Sequence, residues 1–123
     1  MTTLTPSQAA ESLGVSAETL RYWERADILS PVGRDAGGRR VYTDGDLESI
    51  DVIKCLRETA MPIRTVREFV ELARLGVGTE LARLQMLRAH RERVLEDLRR
   101  QQDALEHIEH KIAHYEQITG WPR

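Results

Sequence analysis

The sequence predicts an all-α fold that is interrupted by one small β-hairpin and continues into a single long helix. Three observations lead to this prediction. Segments with helical spacing of apolar residues and recognisable caps occupy most of the 123 residues. A stretch rich in Gly and Pro between residues 30 and 42 breaks that spacing. From Leu84 onward the chain carries a heptad pattern.

Two short helices joined by a tight turn are predicted at the N-terminus. Thr5, Pro6 and Gln8 combine an N-cap, a proline at the first helical position and a capping-box residue, and Gly14 ends this helix. Ser16 caps a second helix of about ten residues. Two helices joined by a turn that contains glycine are typical of a helix-turn-helix.

The stretch 30–42 (SPVGRDAGGRRVY) follows directly. Pro31 and three glycines favour turns, and we expect extended segments at 32–34 and 40–42 to pair as a hairpin. A hairpin in this place indicates a wing.

Two further helices are predicted after the wing. Thr43 caps one that has Asp44 and Asp46 in its first turn and extends to about Thr59; Pro62 begins the next. Their inward faces are predicted from helical spacing to be Leu47, Ile50, Val52, Ile53 and Leu56 in the first helix, and Ile63, Val66, Phe69, Val70 and Ala73 in the second.

The C-terminal segment has the most regular pattern. Eight of its ten a and d positions are apolar, with no Gly or Pro between Leu84 and Gly120. This predicts one helix roughly 60 Å long at about 1.5 Å per residue, which is too long to be covered by its own head. We therefore expect a homodimer rather than an intramolecular hairpin of helices. Its interface residues are Leu84, Leu87, Val94, Leu98, Leu105, Ile108, Ile112 and Tyr115.

Composition and motifs exclude several classes of protein. A secretory leader and an apolar run of about 20 residues are both lacking, so we expect a cytoplasmic chain with no membrane partner. The sequence has no phosphate-binding glycine loop and no paired catalytic motif, so we expect no enzyme and no cofactor. The net charge of −2 does not indicate nucleic acid, although five arginines cluster between residues 21 and 40.

Several segments together resemble the MerR family of bacterial transcription regulators. They are residues 13–16 (LGVS), 19–24 (TLRYWE), 38–42 (GRRVY), 53–57 (IKCLR) and 60–63 (AMPI). The resemblance implies a winged helix-turn-helix DNA-binding domain at 1–76, an antiparallel dimerisation coiled coil at 79–118 and a C-terminal tail at 119–123. It also implies a regulator that distorts promoter DNA at a pseudo-palindromic operator in response to an effector, so that RNA polymerase is affected indirectly.

In such a fold the second helix lies in the DNA major groove and the wing holds the phosphate backbone. The expected DNA contacts are Arg21, Tyr22, Trp23, Arg34, Arg39, Arg40, Tyr42 and Arg57. Tyr22 and Trp23 are about 100° apart around the helix, so one can pack inward while the other faces DNA. Three residues depart from the family pattern and bear on the operator sequence: Trp23 and Arg39 each stand where Tyr is common, and Glu18 stands where a basic residue is common.

Cys55 is the candidate sensor. A cysteine at this position resembles the MerR subgroup that responds to aldehydes or thiol stress; the alternative is a small buried core residue. The cysteines of the family's metal sensors are lacking, and His107, His110 and His114 are predicted on a solvated helix face rather than in a metal site. Three alternative functions stay open. The chain could be a regulator that responds to a small organic ligand and in which Cys55 is purely structural. It could also be an architectural winged-helix DNA-binding protein, or a coiled-coil scaffold that does not bind DNA.

Overall fold

The computed structural model describes residues 3–121 and contains, within them, five helices and one two-stranded hairpin. The helices are α1 (Pro6–Leu13), α2 (Ala17–Arg25), α3 (Asp44–Glu58), α4 (Ile63–Leu75) and α5 (Glu80–Thr119), and the antiparallel strands are β1 (Gly33–Arg34) and β2 (Arg40–Val41). The predicted fold, mostly helical with one hairpin and a long C-terminal helix, is confirmed. The last two residues of the predicted tail, 122–123, lie outside the described residues.

The helix starts follow from local capping. The Thr5 hydroxyl accepts a hydrogen bond from the Gln8 amide while the Gln8 side chain accepts one from the Thr5 amide. Thr43 and Asp46 form the same reciprocal pair at the start of α3. Gly14 ends α1 with φ of 69°, a conformation that glycine adopts without steric cost.

The hairpin is shorter than predicted. Gly33 pairs with Val41 and Arg34 with Arg40, whereas Tyr42 leaves the hairpin and pairs with Leu4 near the N-terminus. The Leu4 and Tyr42 amides each donate to the other's carbonyl oxygen, at 2.9 and 2.8 Å. The base of the wing is thereby joined to the chain segment before α1.

The chain divides into two compact units, Met1–Arg83 and Leu84–Arg123, which we call the head and the distal helix. The head contains a single apolar core to which all four of its shorter helices contribute. Its members are Ala9, Ala10, Leu20, Trp23, Ile28, Leu29, Val32, Tyr42, Ile50, Ile53, Leu56, Met61 and Val66.

Two residues predicted to face inward do not. Val52 is 44% exposed, and Ala73 is also exposed. The reason for Val52 is helix geometry: Ile50 and Leu56 each lie about 60° from Ile53, one on either side, whereas Val52 lies about 100° from Ile53 and so falls outside this buried stripe.

The apolar seam of α5 is uncovered. No α5 side chain is buried, and the exposed fractions of Leu98, Leu105, Ile108, Ile112 and Tyr115 lie between 46% and 61%. Single exposed apolar residues are ordinary on protein surfaces, but a continuous stripe of them marks an interaction surface. Within residues 3–121, no helix is long and apolar enough to cross a membrane.

Candidate nucleic-acid interface

Helix α2 presents one apolar face to the core and one polar face to solvent. Leu20 is fully buried and Trp23 is 6% exposed, while Arg21 is exposed and Tyr22 is 46% exposed. Trp23 was predicted to contact DNA, and this is corrected: its ring belongs to the core, so Tyr22 is the aromatic residue available to a partner. The ambiguity between the two rings is resolved by burial.

Tyr42 is also a core residue. Its side chain is 1% exposed, which corrects the prediction that it contacts DNA. Burial raises the pKa of the Tyr42 phenol above its usual value of 10.0, and the nearby Glu24 carboxylate raises it further. The neutral Tyr42 phenol therefore packs in the core directly after β2 and anchors the end of the wing to the head.

The wing turn is fixed by hydrogen bonds from its own residues. The Asp35 carboxylate accepts from the amides of Gly37 and Arg39, at 2.9 and 3.0 Å. The Arg34 guanidinium donates to the Gly38 carbonyl oxygen at 2.8 Å. The turn therefore displays Arg39, whose guanidinium is exposed and forms no hydrogen bond or ion pair with any residue that the structure describes. Asp35 was not predicted, although Asp favours turns because its side chain can accept a hydrogen bond from the backbone amide two residues further on.

An ion pair connects the wing to α2. The Arg40 Nε donates to the Glu24 Oε2 at 3.0 Å, and the two side chains are 28% and 17% exposed. Glu24 was not among the predicted site residues. The structure thus places seven of the eight predicted DNA contacts in three settings: Arg21, Tyr22, Arg34 and Arg39 are exposed, Arg40 is paired, and Trp23 and Tyr42 are in the core.

Arg57 lies in the last turn of α3 and is half-buried. Its guanidinium donates to the Met61 carbonyl oxygen at 2.7 Å, across the turn that connects α3 to α4. This bond stabilises the turn between α3 and α4, which is a structural role in addition to the DNA contact predicted for Arg57.

Two arginines of α4 hold the loop that follows α2. The Arg67 guanidinium donates twice to the Ala26 carbonyl oxygen, at 2.9 and 3.2 Å. Arg74 donates to Ser30 and pairs with Asp27, whose backbone has a positive φ of 61°. Neither arginine was predicted as functional, because nothing in the local pattern links α4 to a loop more than forty residues earlier.

Cys55 is exposed on α3. This exposure overturns the reading of Cys55 as a buried core residue. Its neighbour Lys54 pairs with Glu58 at 3.7 Å.

The three histidines of α5, His107, His110 and His114, are all exposed, as predicted for a solvated face. Among residues 3–121, no cluster of three or more His, Cys, Asp or Glu is arranged to hold a metal ion.

Residues 4–72 match the family model described as "MerR HTH family regulatory protein". Over 118 residues the chain is 33% identical to an HTH-type transcriptional regulator of Haemophilus influenzae, covering 96% of this chain and 87% of that protein. It is 37% identical over 90 residues to the HTH-type transcriptional regulator AdhR of Bacillus subtilis, covering 73% of this chain and 64% of AdhR.

Solved structures agree with these relatives. HiNmlR, described as a MerR family regulator lacking the sensor domain and bound to promoter DNA, superposes with a TM-score of 0.88 at 32% identity, covering 98% of this chain and 95% of that one. A MerR family regulator from Listeria monocytogenes has a TM-score of 0.83 at 31% identity, covering 92% and 86% of the two chains. These relatives are transcription regulators and not enzymes, in agreement with the prediction from sequence.

Proposed function

Because this chain belongs to the MerR family of helix-turn-helix transcription regulators, we propose that it binds promoter DNA as a homodimer and distorts that DNA in response to an effector. The observation that carries the proposal is that the head presents two exposed arginines on neighbouring elements, Arg21 on α2 and Arg39 on the wing turn. The ion pair between Arg40 and Glu24 connects these two elements. RNA polymerase is affected through the altered DNA.

The two elements have different tasks on DNA. Helix α2 enters the major groove, where Arg21 and Tyr22 reach base edges or phosphates. Arg34 and Arg39 in the wing hold the phosphate backbone, which sets register rather than sequence. Glu18 lies in the first turn of α2 and is exposed, so its carboxylate favours a cytosine amino group over a phosphate.

We expect Arg39→Ala to weaken the salt dependence of DNA binding. Each phosphate contact contributes about 0.9 to the slope of log affinity against log salt, so the variant should lose roughly one unit. The measurement is fluorescence anisotropy across a salt series, with a duplex that the wild-type protein has enriched from a random-sequence library. Arg93→Ala, which removes an exposed arginine from α5, is the matched control and should leave the slope unchanged. Failure to enrich any sequence would contradict DNA binding, and an unaltered slope for Arg39→Ala would remove the wing turn from the interface.

Homodimerisation through α5 is supported by the uncovered seam. An antiparallel alignment that sets Leu84 against the partner's Tyr115 brings every a position opposite a d position, with Leu98 next to the partner's Gln101 at the centre. In this alignment Arg88 and the partner's Glu109, both at e positions, form one complementary pair, whereas Lys111 lies near the partner's His90 rather than near an acidic residue. The seam is therefore matched mainly through its apolar residues, which occupy eight of the ten a and d positions.

We also propose that Cys55 senses electrophiles. Its thiol is exposed on α3, the helix that connects the wing to α4. An aldehyde would add to the thiolate with formation of a sulfur–carbon bond, and the carbonyl oxygen would take up a proton, so no oxidant is required.

We expect Cys55→Ser to abolish the response to aldehyde in a promoter-reporter assay while the operator affinity of the untreated protein stays within about twofold of wild type, since an exposed polar substitution costs little stability. Intact-protein mass spectrometry of the folded wild type should show one N-ethylmaleimide adduct and the variant none. A variant that still responds to aldehyde would contradict the proposal.

A further inference from the structure

We propose that Arg40 and Glu24 form a positioning pair that fixes the wing against α2, and that Arg40 does not hold a DNA phosphate. The inference rests on the proposed DNA-binding function and assigns a different task to one residue that the sequence pattern placed among the DNA contacts.

The geometry of the pair favours a structural bond. A charge-assisted hydrogen bond of 3.0 Å joins Nε to Oε2, and both side chains lie largely out of solvent, at 28% and 17% exposed. Such a bond is screened less than an exposed ion pair and is therefore stronger. A phosphate would have to displace the Glu24 carboxylate to take its place.

The wing needs an anchor of this kind. Its strands are only two residues long, and an isolated two-stranded hairpin is marginally stable in water. Arg34 stands directly opposite Arg40 across the hairpin, and like charges in that position destabilise it. The Glu24 carboxylate offsets this repulsion.

The pair also lies between the two proposed DNA-contacting elements. Glu24 is three residues after Arg21, about one helical turn along α2. Arg40 directly follows Arg39, whose amide is held by Asp35. The bond between Glu24 and Arg40 thus sets the spacing between the cation of α2 and the cation of the wing turn.

The two tasks for Arg40 predict opposite effects of losing Glu24. If Arg40 held a phosphate, Glu24 would compete with DNA for its guanidinium, and Glu24→Gln would tighten binding and steepen the salt slope. If the pair positions the wing, Glu24→Gln weakens binding because the wing loses its fixed orientation.

The test is a double-mutant cycle of Glu24→Gln and Arg40→Met, with affinity measured on the library-enriched duplex across a salt series. Arg40→Met keeps much of the aliphatic stem and removes the charge. We expect each single variant to bind DNA about 3- to 10-fold more weakly than wild type. The double variant should bind only slightly more weakly than the single variant of lower affinity, because the two residues act as a unit. The salt slopes should stay within about 0.3 of wild type, whereas Arg39→Ala loses about 0.9.

Tighter binding by Glu24→Gln, or a slope reduced by about one unit in Arg40→Met, would overturn the positioning role. A wild-type chain that enriches no duplex would overturn the proposed function instead. In that case a thermal-unfolding cycle on the same four proteins decides the matter: non-additive losses of stability support the pair, and additive losses overturn it.

Discussion

Trp23→Ala is expected to destabilise the head by about 3–5 kcal/mol, the usual cost of truncating a buried aromatic ring to Ala. Trp23 is 6% exposed within the head core, and its carbonyl oxygen accepts the amides of Ile28 and Leu29, at 3.1 and 3.2 Å. The cavity would therefore open where α2 turns into the following loop. Since small domains have total stabilities of about 5–15 kcal/mol, much of the head's stability would be lost.

Thermal unfolding followed by circular dichroism measures this loss, and Tyr22→Ala provides the matched control. Tyr22 is the adjacent aromatic and is 46% exposed, so its truncation should cost no more than about 1 kcal/mol. The control should instead weaken DNA binding, because Tyr22 is the ring that faces outward. Equal destabilisation by the two variants would contradict the assignment of Trp23 to the core and Tyr22 to the surface.

The second large effect is expected from charges placed in the seam of α5. Leu98→Asp combined with Leu105→Asp puts four carboxylates into the proposed dimer interface, two from each copy, where each would lose part of its hydration and repel the others. We expect the variant to be a monomer of 14.1 kDa and to lose operator affinity at least about 100-fold, because a single head retains only one half-site. Light scattering coupled to size-exclusion chromatography gives the mass, and anisotropy gives the affinity.

The matched control carries the same charge change on another face of the helix. His110 and Gln117 both occupy f positions of the heptad, and both are exposed. His110→Asp with Gln117→Asp should remain dimeric and bind DNA as wild type does. A monomeric wild type, or a seam variant that remains dimeric, would refute dimerisation through this stripe.

Helix positions could be predicted from the sequence because their signals are local. Thr5, Ser16 and Thr43 each cap a helix within three residues of the group that they bond, so the predicted starts match the observed ones. The length of α5 followed from its heptads and from the absence of Gly and Pro before Gly120. Capping and periodicity depend on near neighbours in the chain, which a single sequence displays.

The composition of the candidate site could not be predicted in the same way. Glu24 and Arg40 are 16 residues apart, and Arg67 and Ala26 are 41 apart, so no local pattern encodes either bond. The choice between Tyr22 and Trp23 depended on which side of α2 faces the core. Both residues are aromatic, so the residue type alone does not say which of them is buried. Local rules therefore located the elements, and tertiary packing decided which side chains remain available to a partner.

The hydrogen bonds of the wing turn have an entropic consequence for association. Asp35 and Arg34 already hold the turn in one conformation in the unbound chain. Ordering a mobile side chain on association costs about 0.5–1.5 kcal/mol, and ordering a whole segment costs more. A wing that is ordered before contact avoids most of that loss, so its proposed encounter with a phosphate backbone would be limited by orientation and diffusion rather than by folding of the wing.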